Sequence, residues 1–96
     1  MAVVYILYSP SLDRFYIGSC ENIQERMAQH MSATYPKAFT KKAQDWSVYL
    51  LLEELTYSQA RSIETHLKRM KSKKFIMNLK RYDTLKENLI MLYRST

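Results

Sequence analysis

The sequence predicts a small α/β (α+β) domain in which a three-stranded antiparallel sheet is flanked by helices. Three short runs rich in β-branched and aromatic residues predict the strands, and a cluster of Pro, Ser and Asp between the first two predicts a hairpin turn. Apolar residues at helical spacing in the second half of the chain predict helices. The expected order is β-β-α-β-α-α, in which the last position can hold one or two short helices.

The composition predicts one domain over residues 1–96, with a core at about 2–80 and a C-terminal helix at about 84–95. A chain of 96 residues, 47% of them hydrophobic, suits a single modest core. The apolar runs are shorter than the ~18 residues of a membrane span, and the N-terminus lacks the pattern of an export signal. The lone Cys20 excludes an intramolecular disulfide, so we expect a cytoplasmic protein.

The net charge of +6 predicts a polyanionic partner. A basic surface attracts phosphates, and nucleic acid is the commonest such partner of a compact domain. The alternative is a basic surface that serves solubility alone. A basic run at residues 69–74 is predicted to bind phosphates through Lys71, Lys73 and Lys74, or else to form a solvated helix end favoured by the helix dipole.

The hairpin is predicted from two apolar runs. The first strand, about residues 2–8, is nearly all apolar, which is typical of a central strand covered on both faces. In the second strand, about residues 14–19, alternation points Phe15 and Ile17 into the core.

The opposite face of the second strand carries Arg14, Tyr16 and Gly18, and we expect it to be polar and open. Tyr5 lies on the adjacent strand within side-chain reach of Tyr16. A tyrosine beside a cation and a glycine is suited to phosphate contact. Gly18 is the chain's one glycine, where average usage predicts about seven. Either it leaves room for another backbone or a ligand, or it marks a strand-end bulge.

A helix is predicted at about residues 23–31, with Asn22 as its N-cap. Arg26 and His30 are four residues apart and therefore share one face. A guanidinium can hold phosphate oxygens, and an imidazole can carry a proton near neutral pH. The alternative for this pair is an ordinary solvated surface.

The connection at residues 32–45 interleaves lysines with aromatic residues. Cations meet phosphates and aromatic rings can stack on bases, so we expect nucleic-acid contact here, with a solvated connector as the alternative. The lysines concerned are Lys37, Lys41 and Lys42.

The third strand is expected at about residues 46–52, and a helix at about 57–71 is expected to be capped by Thr56 or Ser58. The apolar stripe of this helix consists of Ala60, Ile63, Leu67 and Met70. Glu64 lies at the edge of the stripe, where a lone carboxylate is costly unless a cation compensates it. Since Mg²⁺ favours one or two carboxylates with waters and phosphate oxygens, Glu64 is a candidate ligand. The alternative is an interfacial glutamate paired with Arg or Lys.

The remaining elements are predicted to be structural. Phe75, Ile76 and Leu79 indicate a short helix, and the C-terminal helix is expected to pack on the sheet or to serve dimerisation. His66 is expected at the surface and Cys20 to be an inert thiol. The spacings typical of a histidine-built zinc site do not occur.

Several of these residues together resemble the GIY-YIG nuclease superfamily. The resemblance covers roughly residues 3–80, and the chain is most similar to the small stand-alone members and to the N-terminal nuclease domain of the bacterial excision-repair endonuclease. One departure is Val3, where the family's first triplet has glycine. The matching residues are Val3-Val4-Tyr5, Tyr16-Ile17-Gly18, Arg26, His30 and Glu64.

The resemblance implies a metal-dependent DNA endonuclease, with a role in DNA repair or recombination. Tyr5 would be the general base for the attacking water and His30 would help to carry the proton away. Tyr16 and Arg26 would hold the scissile phosphate. Glu64 would bind one Mg²⁺ or Mn²⁺ ion. The two tyrosines can exchange roles in this scheme.

The resemblance also implies a use for Arg14, because the family often carries a basic residue two positions before the second tyrosine. Arg14 would assist that tyrosine or the phosphate; the alternative is a solvated side chain. For the whole chain, the alternative is a nucleic-acid-binding module without turnover. Substrate choice is expected to come from residues 32–45, from a homodimer or from a protein partner.

Overall fold

A computed structural model of the protein describes residues 1–26 and 45–94. Within these ranges the chain forms an antiparallel sheet of order β2-β1-β3 with helices after it, which confirms the predicted fold class. Residues 23–26 are also helical. The other elements are β1 (Ala2–Ser9), β2 (Arg14–Cys20), β3 (Ser47–Leu55), α1 (Tyr57–Met70), α2 (Lys73–Arg81) and α3 (Asp83–Leu92).

Strand β1 is the centre of the sheet, as its apolar sequence predicts. It pairs with β2 on one side, where Tyr5 lies opposite Gly18 and Leu7 opposite Tyr16. It pairs with β3 on the other side, where Tyr5 lies opposite Leu51. Residues 2–7 are all buried, because both faces of the strand are covered.

The hairpin turn is tied to the start of β3 by Asp45. One carboxylate oxygen accepts a hydrogen bond from the Ser9 hydroxyl, and the other accepts one from the Ser11 amide at 2.8 Å. These two bonds hold the pKa of Asp45 below its usual range. Within the turn, Asp13 adopts a left-handed conformation with φ of 50° and its amide bonds to Pro10 O.

Helix α1 covers one face of the sheet. Its N-terminus has a capping box, in which the Thr56 hydroxyl accepts from Gln59 N and the Gln59 side chain accepts from Thr56 N. The predicted apolar stripe is buried at Ala60, Ile63 and Leu67, whereas Met70, predicted to join it, is 42% exposed. The stripe stops short of Met70 because the helix ends there.

The last helices pack on α1 and on each other. Ser72 caps α2 through Phe75 N, and Ile76 and Leu79 of α2 are buried. The Gln59 amide of α1 donates to Ile90 O of α3 at 3.0 Å. The sequence placed the C-terminal helix on the sheet, but α3 contacts mainly α1 and α2.

The face of β2 that the sequence predicted to be open is partly covered. Tyr5, Leu7, Cys20 and Trp46 form a second buried cluster on this face, and Tyr16 packs against it. Trp46 supplies the cover that strand alternation could not reveal, since its position depends on the path of the chain into β3.

The Tyr5 ring lies directly over Gly18. A Cβ atom at position 18 would lie 2.5 Å from Tyr5 Cζ, closer than real Cβ atoms approach other heavy atoms. Residue 18 is therefore glycine because the neighbouring strand's tyrosine fills that space. Of the two explanations left open by the sequence, close approach is correct, but the approaching group is Tyr5.

We predict that Gly18→Ala lowers the free energy of unfolding by about 1–3 kcal/mol, because the added methyl group must displace a buried ring. Urea unfolding measures this change. Ser47→Ala is the matched control, since it places the same side chain at an exposed position of β3. An unchanged stability of Gly18→Ala would contradict the Tyr5–Gly18 contact.

Candidate active site

Two tyrosines form the centre of the candidate site. The rings of Tyr5 and Tyr16 are stacked, with their centroids 6.3 Å apart and their planes inclined by 21°. Trp46 meets Tyr16 edge-on at 6.5 Å. Tyr5 is 1% exposed and Tyr16 is half-buried, so Tyr16 is the tyrosine that faces the outside. The structure thus brings together the two tyrosines that the sequence paired.

Burial determines the protonation state of Tyr5. It is the main cause that raises the pKa of this phenol above its usual value, and the neighbouring Tyr16 adds to the rise. The Arg26 guanidinium acts in the opposite direction but does not cancel it. Tyr5 is therefore a neutral phenol at pH 7, which makes it a poorer general base than an ordinary tyrosine.

Arg26 reaches the site from the helical segment 23–26. The predicted cap is confirmed, since the Asn22 side chain accepts from Glu25 N at 3.1 Å. Arg26 is half-buried, and its charge lowers the pKa of both Tyr5 and Cys20. The Arg26 guanidinium is thus close enough to the buried phenol to influence its pKa.

Glu64 lies where α1 passes the end of β2. One oxygen accepts a hydrogen bond from the Ser19 hydroxyl at 2.5 Å, and the other is 2.7 Å from the Lys68 ammonium. The Glu64 side chain is 15% exposed. The carboxylate charge also contributes to the raised pKa of Tyr5, so the two groups influence each other.

The donor set at Glu64 fits a hard divalent cation that keeps most of its waters. Among residues 1–26 and 45–94, no group of three or more His, Cys, Asp or Glu side chains forms a metal cage. One carboxylate suits Mg²⁺, which also takes waters and substrate phosphate oxygens. The ammonium of Lys68 already balances one oxygen of Glu64, so this carboxylate has a cation as its partner whether or not a divalent ion is bound.

A basic groove of about 550 Å³ runs beside Tyr16, between β2 and the α1–α2 junction. It is lined by four cations, of which Lys73 donates to Asp13 O at 2.6 Å. Predicted contacts Arg14, Lys71 and Lys73 meet here, while Lys74 does not line the groove. The cations of the basic groove are Arg14, Lys68, Lys71 and Lys73.

Some predicted residues lie elsewhere. His30, Lys37, Lys41 and Lys42 lie outside the described residues. His66, expected at the surface, is half-buried and its Nδ1 lies 2.8 Å from the Tyr93 hydroxyl.

Cys20 is buried, and burial raises the pKa of its thiol, in agreement with the predicted inert role.

Sequence reasoning missed three residues of this site. Lys68 stands four residues after Glu64, a spacing that predicts an ion pair on a helix and could have revealed it. Ser19 and Trp46 carry no such signal, because their contacts depend on tertiary packing.

Comparison with known proteins identifies the family. A family model described as the GIY-YIG catalytic domain matches residues 1–80, which include every element up to α2. No curated protein and no solved structure matches the chain. Proteins of this family generally use a divalent metal, and a nuclease domain implies a DNA substrate. The match covers more than half of the chain, so the protein belongs to the GIY-YIG family and carries its phosphodiester-hydrolysing nuclease domain.

Proposed function

We propose that the protein is a divalent-metal-dependent DNA endonuclease whose site lies at the exposed edge of β2. One observation carries this proposal: Tyr5, which is stacked with Tyr16, lies within the electrostatic reach of both Arg26 and Glu64. A phosphate-binding cation, hydroxyl groups and a metal-binding carboxylate are the groups that phosphodiester hydrolysis requires.

Arg26 and Tyr16 contact the scissile phosphate in this proposal. Tyr16 is one of the residues that line the basic groove, whose cations hold the backbone next to the scissile bond. The guanidinium of the half-buried Arg26 stabilises the negative charge that develops on the phosphate.

Tyr5 removes the proton from the attacking water, and His30 helps to carry the proton away. Because burial favours the neutral phenol, Tyr5 can act as a base only where positive charge nearby stabilises its phenolate. Arg26 supplies part of that charge. A divalent ion held by Glu64 would supply the remainder and would stabilise the leaving oxygen.

Ser19 and Lys68 position the Glu64 carboxylate. The Ser19 hydroxyl fixes one oxygen from the edge strand, and the Lys68 ammonium balances the charge of the other. Lys68 also lines the basic groove, so its charge adds to the surface that would contact nucleic-acid phosphates.

Three further aspects of this function rest on the sequence. Residues 32–45, a homodimer or a protein partner supplies substrate specificity, and the lone cysteine suits action in the cytoplasm. The resemblance to the excision-repair nuclease domain supports a role in DNA repair or recombination.

A DNA-binding module without turnover is the second candidate function. The raised pKa of Tyr5 and the pairing of Glu64 with Lys68 favour it, because both oppose the charge states that catalysis requires. Cleavage assays separate the two candidates.

We predict that Glu64→Gln lowers metal-dependent cleavage of labelled DNA about 100-fold or more, because a metal ligand contributes several kcal/mol to the transition state. A panel of duplex, nicked, branched and single-stranded DNA, with Mg²⁺ or Mn²⁺, provides the assay. Glu53→Gln is the matched control, since Glu53 is an exposed carboxylate of β3.

Wild-type cleavage that persists unchanged in Glu64→Gln would contradict the assigned site. Salt-sensitive DNA binding without cleavage of any substrate would favour the binding module instead.

The raised pKa of Tyr5 predicts how cleavage depends on pH. If the phenolate is the base, its fraction rises about tenfold per pH unit below its pKa, so kcat/KM should rise about tenfold for each pH unit between pH 6 and 9, or about 1,000-fold in total. Single-turnover cleavage rates of the wild type and of Tyr5→Phe over this pH range test whether cleavage rises with pH. A wild-type profile that is flat above pH 7 would show that Tyr5 acts as a neutral donor.

We predict that Lys68→Met strengthens Mn²⁺ binding to the free protein about two- to fivefold, because the competing ammonium is removed. An exposed ion pair is worth about 0.2–1 kcal/mol, and the Lys68 side chain is 53% exposed. Electron paramagnetic resonance of free Mn²⁺ measures the affinity without cleavage, with Lys86→Met as the control of equal charge change. An unchanged Mn²⁺ affinity would show that Lys68 does not compete with the metal for Glu64.

A further inference from the structure

Helix α1 has a second concave surface that the proposed active site does not use. It has a volume of about 560 Å³ and lies between the solvent-exposed side of α1 and the residue that follows α3. We call this concave surface the outer face of α1. It is lined by Arg61, Ser62, Thr65, His66, Arg69, Met70 and Tyr93.

The outer face is positively charged. Arg61 and Arg69 are both exposed, and no acidic residue lines the surface. In the part of the chain that the structure describes, the ion pairs involve neither arginine. The Arg61 guanidinium lies 5.9 Å from the ring centroid of Tyr57, which supports its stem and leaves it able to donate hydrogen bonds.

The floor of the outer face is held in place by a side-chain pair. The ring nitrogen Nδ1 of His66 lies 2.8 Å from the Tyr93 hydroxyl, and the two rings are nearly perpendicular at 5.7 Å. This pair attaches the end of α3 to α1. The cleft between them is therefore built by tertiary structure, and the two arginines lie along one side of it.

The outer face is continuous with the proposed active site through Arg61. Arg61 also lines a smaller concave region of about 380 Å³ with Ser19, Cys20 and Arg26. Successive helical residues are about 100° apart, so Arg61 lies about 60° around α1 from Glu64. Arg61 thus lines both concave regions, and the smaller one also contains Glu21 and Glu25.

Arg69 lies farther along the outer face. It lies eight residues after Arg61, which is about 12 Å along the helix at about 1.5 Å per residue. One DNA strand advances about 3.4 Å per nucleotide, so the two arginines span about three to four nucleotides. The basic groove lies on the other side of Glu64 and Lys68, so the two surfaces extend from the site in different directions.

We propose that the outer face of α1 is a second phosphate-binding surface, which holds the DNA backbone on the side of the active site away from the basic groove. This inference rests on the proposed function, because it takes DNA as the substrate. Arg61 and Arg69 each contact one phosphate, and the His66–Tyr93 pair keeps the cleft open for the strand.

The test compares DNA binding by three double variants in a Glu64→Gln background, so that cleavage does not interfere. Fluorescence anisotropy of a labelled 20-base-pair duplex is measured as a function of salt. Each lost phosphate contact lowers the slope of log K against log[salt] by about 0.9, so Arg61→Gln/Arg69→Gln should lower it by about 1.8. The control Arg81→Gln/Lys86→Gln removes the same charge from α2 and α3 and should leave the slope nearly unchanged.

Arg61→Lys/Arg69→Lys should retain the parent slope, because the charges remain. A slope for Arg61→Gln/Arg69→Gln equal to that of the control would overturn the second surface while leaving the proposed function intact. Absence of DNA binding by the Glu64→Gln parent would overturn both.

Discussion

The contact between Tyr5 and Gly18 is the constraint on which the rest of the site depends. The Tyr5 ring can lie across the edge strand only because position 18 has no side chain. With the ring in that place, Tyr16 stacks on it from two residues earlier in β2. The same register fixes Ser19 and Cys20 at the strand end, on opposite faces of the sheet. The chain's one glycine thus aligns the phenols on one face with the carboxylate contact on the other.

The charges around this contact act in opposite directions. Arg26 lowers the pKa of Tyr5, whereas burial and the Glu64 carboxylate raise it. Lys68 in turn neutralises one oxygen of Glu64. Because Tyr5 is neutral and Glu64 is paired with Lys68, neither group is buried as an uncompensated charge. A divalent ion at Glu64 and a phosphate at Arg26 would change this arrangement of charges.

Much of the fold was predictable because it follows local periodicity. The central position of β1, the Thr56 cap and the core residues Ile63 and Leu67 follow from apolar patterning and capping preferences. The pairing of Tyr5 with Tyr16 also followed from strand alternation. Local patterns did not reveal why residue 18 is glycine, that Trp46 covers the tyrosines, or that Ser19 bonds to Glu64. These contacts depend on strand register and helix placement, which no local pattern encodes.

The central claim is that Arg26 and the tyrosine pair form a phosphodiester-cleaving site at the edge of β2. Single-turnover nicking of a labelled duplex by Arg26→Gln in Mg²⁺ tests it most directly, with DNA affinity measured in parallel. Loss of a preorganised donor to the developing charge should slow nicking about 100- to 1,000-fold while DNA affinity changes only a few-fold. Nicking by Arg26→Gln at the wild-type rate would contradict the account and place the chemistry elsewhere on the protein.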